Sequence, residues 1–238
     1  MQMTSRDEQM VEWLRVVQMA EMASLRWVLG GFSGAGKPVS LRKAQQWVAR
    51  CREAGLVDSS RSASSTGSVV WLTREASGRR EPSLLRQTVR HELAVASVAA
   101  RYVCAGWAWR IDQRSNSDEH MADGLAIRGA AKELVEVELT VKAKDRYPKI
   151  FASHDERIRF DGITSIVYVT DAPTGEAIGR KIKDQVFRDD RDRFPVLPAL
   201  DMWGRIQDDL WPVEDARFTA PAEGEEIAPA HAPSSSLF

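Results

Sequence analysis

The chain has 238 residues, 43% of them hydrophobic and 28% charged, with a formal net charge of −1. That length suits one large domain or two small ones, and the composition is that of a globular protein. No apolar run approaches the roughly 20 residues of a membrane span, which excludes a helical membrane protein, and Met1–Glu8 lacks the basic-then-apolar order of a signal peptide. The charge is unevenly distributed. Residues 1–80 hold 12 Lys and Arg against seven Asp and Glu, whereas the remainder holds 21 against 27. A basic module followed by an acidic one points to polyanion binding at the N-terminal end. Cys51 and Cys104 fall inside predicted helices far apart in sequence, as buried thiols of a cytoplasmic protein would. The four histidines and two cysteines show no zinc-ligand spacing, so no zinc site is expected.

In chain order, Asp7 to about Met19 reads as a helix with an apolar stripe of Met10, Val11, Leu14 and Val17. A short helix covers Ser24 to Leu29 and is broken by the glycine-rich run from Gly30 to Pro38. A third helix runs from Ser40, an N-cap, to about Ala54, closed by Gly55. Leu41, Ala44, Val48 and Cys51 mark its buried face, with Trp47 at the edge, and Arg42, Lys43, Gln46 and Arg50 lie opposite. Gly55-Leu56-Val57-Asp58 and Val69-Val70-Trp71-Leu72-Thr73 are two strands around a Ser-rich tip.

Three helices followed by a β-hairpin resemble a winged helix-turn-helix. That resemblance implies base reading by Arg42, Gln46 and Lys43 on the third helix, and phosphate contacts from Arg50 and from Arg61 in the wing. Arg42, Lys43, Gln46 and Arg50 also fit the wet face of an ordinary amphipathic helix, and winged helices also serve as protein-interaction modules. Gly31 to Pro38 nearly matches the phosphate-binding loop G-x-x-x-x-G-K-[ST]. It ends in Pro38, without a hydroxyl, and follows a helix rather than a strand, so no nucleotide is expected there.

Arg74 to Glu81 is charged and precedes Pro82, as a linker does. A long helix is expected from about Ser83 to Val103, with Leu85, Val89, Leu93, Ala96 and Ala100 in one stripe and Glu92 near its edge. Trp107 to Ile111 is a strand. Two further strands, Asp123–Ile127 and Leu134–Lys142, flank a turn at Gly129. Alternation sets Val135, Val137 and Leu139 on one face of the latter and Glu136, Glu138 and Thr140 on the other. If the two strands pair, Asp123, Glu136 and Glu138 converge. Such an oxygen-rich cluster suits Mg²⁺, and the competing interpretation is a solvated polar strand face. A helix from about Asp145 to Ile158, with Pro148 in its first turn, a strand from Ile163 to Thr170, and a helix to about Phe187 complete the pattern.

The order helix, three strands, helix, strand resembles the PD-(D/E)XK nuclease-like fold, with Asp123 matching its aspartate, Glu136 the acidic residue of the third strand and Glu92 the glutamate of the first helix. The sequence departs from that pattern at Ala122, where Pro is usual, and at Glu138, where Lys is usual; Lys142 can supply the cation instead. The combined layout is similar to the replication-relaxation family of mobile elements, on His91-Glu92-Leu93-Ala94-Val95, Asp123-Gly124, Glu136-Val137-Glu138 and the basic run from Lys142 to Tyr147. That family implies DNA transactions of plasmids or phage-like elements.

The expected architecture is therefore α+β / α/β: a winged helix over residues 1–75, a linker over 76–82, a nuclease-like domain over 83–211 and a disordered, Ala/Pro/Glu/Ser-rich tail over 212–238. The expected function is double-stranded DNA binding in replication or transfer, or in its regulation, with the nuclease-like domain as a scaffold. Two alternatives remain. One is a Mg²⁺-dependent endonuclease in which Asp123 and Glu136 hold metal, Glu138 handles water and Lys142 stabilises the phosphate charge. The other is a protein-interaction adaptor. A homodimer is compatible with the winged-helix resemblance.

Overall fold

The first helix begins with a capping box: the Thr4 hydroxyl accepts from the Asp7 backbone N–H while the Asp7 carboxylate accepts from Thr4. In this computed structural model, which describes residues 2–62, 65, 67–113 and 120–219, helix α1 (Ser5–Val17) follows that cap. Gln18, at a φ of 67°, ends it and turns the chain into a short strand, β1 (Met19–Glu21), which the sequence pattern did not suggest. Helix α2 (Met22–Gly31) is longer than its apolar spacing predicts, because Gly30 and Gly31 are helical rather than breaking. A Cβ on Gly31 would lie 2.7 Å from the Val103 carbonyl oxygen, so this glycine permits close backbone approach.

Helix α3 (Leu41–Glu53) is capped by the Ser40 hydroxyl, which accepts from the Lys43 N–H. It buries Ala44, Val48 and Cys51 as expected, and Trp47 fully rather than at an edge. Leu41, expected inside, is exposed at the first helical position, where the chain is only leaving the preceding turn. Strands β2 (Val57–Arg61) and β3 (Ser68–Leu72) form the expected antiparallel hairpin, and β1 pairs with the other edge of β3, giving the order β1-β3-β2. Within the stretch expected as a linker, Thr73 caps a single-turn helix, α4 (Arg74–Ser77).

Helix α5 (Val89–Cys104) starts later than predicted. Leu85 does not join its stripe: it is exposed among the turns that precede the helix. One face of α5 meets α2, where the Ser24 and Ser97 hydroxyls lie 3.0 Å apart. The other covers the second sheet. A single hydrophobic cluster therefore runs from Leu14, Leu25 and Val48 through Ala96 and Val103 to Val135 and Val167. The core is continuous across residues 76–82.

The second sheet has the order β4-β5-β6-β7-β8, from β4 (Ala108–Arg110), β5 (Gly124–Arg128), β6 (Ala131–Glu138), β7 (Ser165–Thr170) and β8 (Val196–Leu197). The first three strands are antiparallel, whereas β6-β7-β8 are parallel. The β6-to-β7 crossover is helix α6 (Tyr147–Phe160), entered through a 3₁₀ turn with Pro148 at its start. Helix α7 (Ala172–Gln185), capped by Asp171, follows β7. On the face away from α5, Tyr147, Phe151 and Ile158 of α6 pack with Leu134, Ile166 and Tyr168. The protein is thus a mixed α+β structure with two sheets. Both faces of the larger sheet are covered at β6, so from Glu133 to Glu138 this strand has no wet side.

Cys51 and Cys104 are buried free thiols, and burial pushes each up to about 11. Among the described residues no helix is long and apolar enough to cross a membrane. The expected disorder from residue 212 is corrected for residues 212–219. There Phe218 packs edge-on against Tyr102, and the Arg217 carbonyl accepts from Trp107 Nε1 at 2.6 Å. One aromatic side chain anchors a segment whose composition otherwise carries no period. Residues 220–238 lie outside the described residues.

Candidate functional site

The β5–β6 hairpin sets the geometry. Gly124 pairs with Val135, so Asp123, immediately before β5, stands beside Glu136. Gly124 is required here because a Cβ would come within 2.1 Å of the Trp109 ring. The Asp123 carboxylate accepts from the Val137 N–H at 2.7 Å and lies 3.3 Å from His91 Nε2. The same His91 nitrogen is 2.9 Å from the Val137 carbonyl, so it donates into this corner. The hydrogen bond to Asp123 is the main reason that the His91 imidazole is raised above its ordinary value. Glu92, the expected neighbour of the acidic strands, turns away to Arg86 and the Thr88 hydroxyl.

Glu136 and Glu138 share a face of β6 as alternation predicts, but both are buried and neither is solvated. Glu138 contacts Lys142 Nζ. Burial lowers the Lys142 ammonium, while the Glu136 and Asp123 carboxylates act to raise it, so the lysine feels all three acids. The hairpin thus gathers Asp123, Glu136, Glu138 and Lys142 at one end of the sheet. The carboxylates nevertheless serve different partners: Asp123 faces a backbone N–H and His91, and Glu138 faces Lys142.

Glu136 has the most enclosed environment. Its Oε1 is 2.7 Å from His120 Nε2 and 3.2 Å from His154 Nε2, yet neither pair has hydrogen-bond alignment. Burial would raise the Glu136 carboxyl, but the attraction of the two imidazoles beside it outweighs burial and lowers it. His154, on α6, is fully buried, and its Nδ1 lies 3.1 Å from the Tyr168 hydroxyl on β7. His120 sits ahead of β5, and its backbone N–H donates to Ser153 Oγ on α6. Asp112 and Arg157 form a buried two-pronged ion pair at 2.7 and 2.8 Å, and Asp112 also accepts from the Ala122 N–H. His120 is therefore held next to α6 by flanking bonds. The three ligand-capable atoms of His120, Glu136 and His154 lie within 4.8 Å of one another, the only such group of three among the described residues. Sequence spacing missed it because its members come from a loop, a strand and a helix, 16 and 18 residues apart.

The residues expected to touch DNA lie on the far unit. Arg42, Lys43 and Gln46 are exposed on one face of α3, and Arg61 is exposed at the end of β2. Arg50 is partly committed: its guanidinium is 2.6 Å from the buried Asp7 carboxylate, which also accepts from Trp47 Nε1 at 2.9 Å. Ala63, Ser64 and Thr66 of the hairpin tip lie outside the described residues.

This architecture and site define a mixed α+β protein that carries an exposed basic helix on one unit and a buried, acid-rich strand end on the other. Comparison with protein-family models, curated proteins and solved structures returns no match, so function is read from this chain's own chemistry.

Proposed function

We propose that the protein binds double-stranded DNA and serves a plasmid, phage or other mobile element in replication, transfer or their regulation, its larger sheet being a nuclease-like scaffold. The observation that carries the reading is the outward face of α3. Arg42, Lys43 and Gln46 are exposed there, and among the described residues neither Arg42 nor Lys43 makes an ion pair; a hairpin with an exposed arginine follows the helix. Arg and Lys match guanine edges and Gln matches adenine, and a helix is the element that the major groove accepts. The helix and strand order of the first unit supports a winged helix-turn-helix reading, and α5-β4-β5-β6-α6-β7 supports a PD-(D/E)XK-like one. The replication-relaxation resemblance gains support from contact: His91, Asp123 and Val137, one from each of the first three of its four motifs, meet in one corner.

Mg²⁺ fits the acidic end poorly. That ion asks for oxygen ligands in near-octahedral array, whereas the three carboxylates are directed at different sets of nitrogens. The scaffold reading is favoured over the endonuclease for that reason.

The test is duplex binding by the full chain, followed by fluorescence anisotropy. Binding is expected to weaken steeply with salt and to drop roughly tenfold or more, about 1.4 kcal/mol, when Arg42→Ala and Lys43→Ala are combined. A folded protein that ignores duplex DNA at low salt transfers the case to the adaptor reading. Plasmid incubated with Mg²⁺ stays supercoiled if the larger sheet is a scaffold. Nicking that Glu136→Gln abolishes would instead establish the endonuclease.

A further inference from the structure

We propose that His120, Glu136 and His154 form a binding site for a single divalent transition-metal ion of the zinc class, which fastens the segment ahead of β5 to helix α6. This inference is independent of the DNA reading.

Three observations converge. The donor set is two imidazole nitrogens and one carboxylate oxygen, a combination that suits Zn²⁺ and its first-row neighbours rather than Mg²⁺ or Ca²⁺. The atoms are close enough to share one ion. Ligand atoms about 2.0–2.1 Å from a tetrahedral ion stand about 3.3 Å apart; the 3.2 Å Glu136–His154 pair matches that spacing, the 2.7 Å Glu136–His120 pair has to open by about half an ångström, and all three atoms lie within 4.8 Å. Finally, Glu136 Oε1, His120 Nε2 and His154 Nε2 are buried and none makes a hydrogen bond. In a plain ion pair the imidazole N–H would point along the line to the oxygen. Here the atoms crowd one another without that alignment, as atoms do when they aim at a shared point.

The surroundings fit as well. A metal-bound imidazole commonly has its second nitrogen held by a hydrogen bond, which fixes the ring. His154 Nδ1 lies 3.1 Å from the Tyr168 hydroxyl, and the tautomer in which Nδ1–H donates there leaves the Nε2 lone pair facing the cluster. Ser153 and the Asp112–Arg157 pair hold the His120 segment from outside. His120 keeps about a fifth of its side chain exposed, which gives an ion a route inward. Three protein ligands leave a coordination position for water.

The experiment uses the tag-free full chain, stripped with chelator and titrated with Zn²⁺ by calorimetry, with Co²⁺ as a spectroscopic stand-in. One ion per chain is expected to bind, to raise the melting temperature and, as Co²⁺, to give a visible ligand-field band. Mg²⁺ should do none of these. His120→Ala, near the surface, should keep the fold and lose at least about 100-fold in affinity, and Tyr168→Phe, which removes only a hydroxyl, about tenfold. The buried His154→Ala is informative only if it folds, and His120→Ala serves if it does not. A folded parent chain that takes up no Zn²⁺ overturns the proposal. So does binding that is undiminished in a folded His120→Ala or Glu136→Gln variant.

Discussion

Helix α3 and strand β6 are both rich in ionisable side chains and dispose of them oppositely. On α3, Arg42 and Lys43 point to solvent and Arg50 reaches back to one acid, Asp7. On β6, Glu133, Glu136 and Glu138 are all buried, and each has its own partners: Tyr102 and Ser165 for the first, His120 and His154 for the second, Lys142 for the third. The cause is layering. A surface helix keeps a wet flank, whereas the stretch of β6 from Glu133 to Glu138 lies between two helical layers and has none, so each charge there must be compensated from within. Outward charge is available to a partner. Inward charge is available only to the fold, or to something small enough to enter.

The strongest way to break that contrast is to remove one member of a buried pair from the larger sheet. Asp112→Ala leaves the buried Arg157 guanidinium with only the half-exposed Asp161 carboxylate at its Nε, and it frees the Ala122 N–H that Asp112 accepts from. A cost of about 3–5 kcal/mol is expected, read from the urea midpoint at unchanged slope. A loss below about 1 kcal/mol would mean that water already reaches this pair and that the region is less enclosed than its burial implies.

The exception on the other unit comes next. Asp7 is fully buried, accepts from Thr4, Trp47 Nε1 and Arg50, and joins α1 to α3. Burial acts to raise its carboxyl, but the Thr4 and Trp47 hydrogen bonds and Arg50 prevail and hold it below the ordinary 3.8. With the folded value below the unfolded one, the unfolded chain takes up the proton first as pH falls. The contribution is therefore complete above about pH 4 and lost as pH drops through the lowered value. Asp7→Ala should cost about 2–3 kcal/mol near neutrality, chiefly from the unsatisfied indole N–H and the lost cap. The difference between parent and variant should narrow below pH 3.8. An offset that stays constant into acid would show that the charge on Asp7 contributes nothing.

Between the two regions lies the α2–α5 contact, and Gly31→Ala tests whether it couples them. The new Cβ meets backbone at Val103 and Cys104, which cannot rotate away. About 1–3 kcal/mol of destabilisation is expected. Because the core is continuous, unfolding should remain a single transition by both circular dichroism and tryptophan fluorescence. Two separated transitions would reinstate residues 76–82 as a true boundary.

Much of this contrast was legible in the chain and part of it was not. Ser40 and Gly55 announced helix ends by local chemistry, and the alternation of Leu134 to Leu139 assigned faces correctly, because caps and pleats act over a few residues. The burial of Glu136 was hidden, since it depends on α6 closing the second face from 11 or more residues downstream. His120 and His154 were hidden for the same reason: ligands drawn from three elements leave no spacing to read. Strand β1 was missed because three residues are too few for a period and its partner β3 lies about 50 residues away. Phe218 shows how a single aromatic overrides a disorder-like composition when a neighbouring ring, here Tyr102, awaits it.

The mildest perturbation sharpens the outward half of the comparison. Arg61, exposed at the end of β2, makes no ion pair among the described residues, so Arg61→Ala should leave the melting temperature within a degree or two. On DNA its expected role is one phosphate contact, which adds affinity without sequence preference. Losing that contact should lower the slope of log K against log salt by about 0.9 and weaken binding to all duplexes alike. Arg42→Ala should differ in kind, because a base-reading arginine removes preference at one position and costs about 1–3 kcal/mol only on the preferred sequence. A variant series in which both arginines shift the slope equally, with no change in preference, would leave α3 as a general polyanion face rather than a reading head.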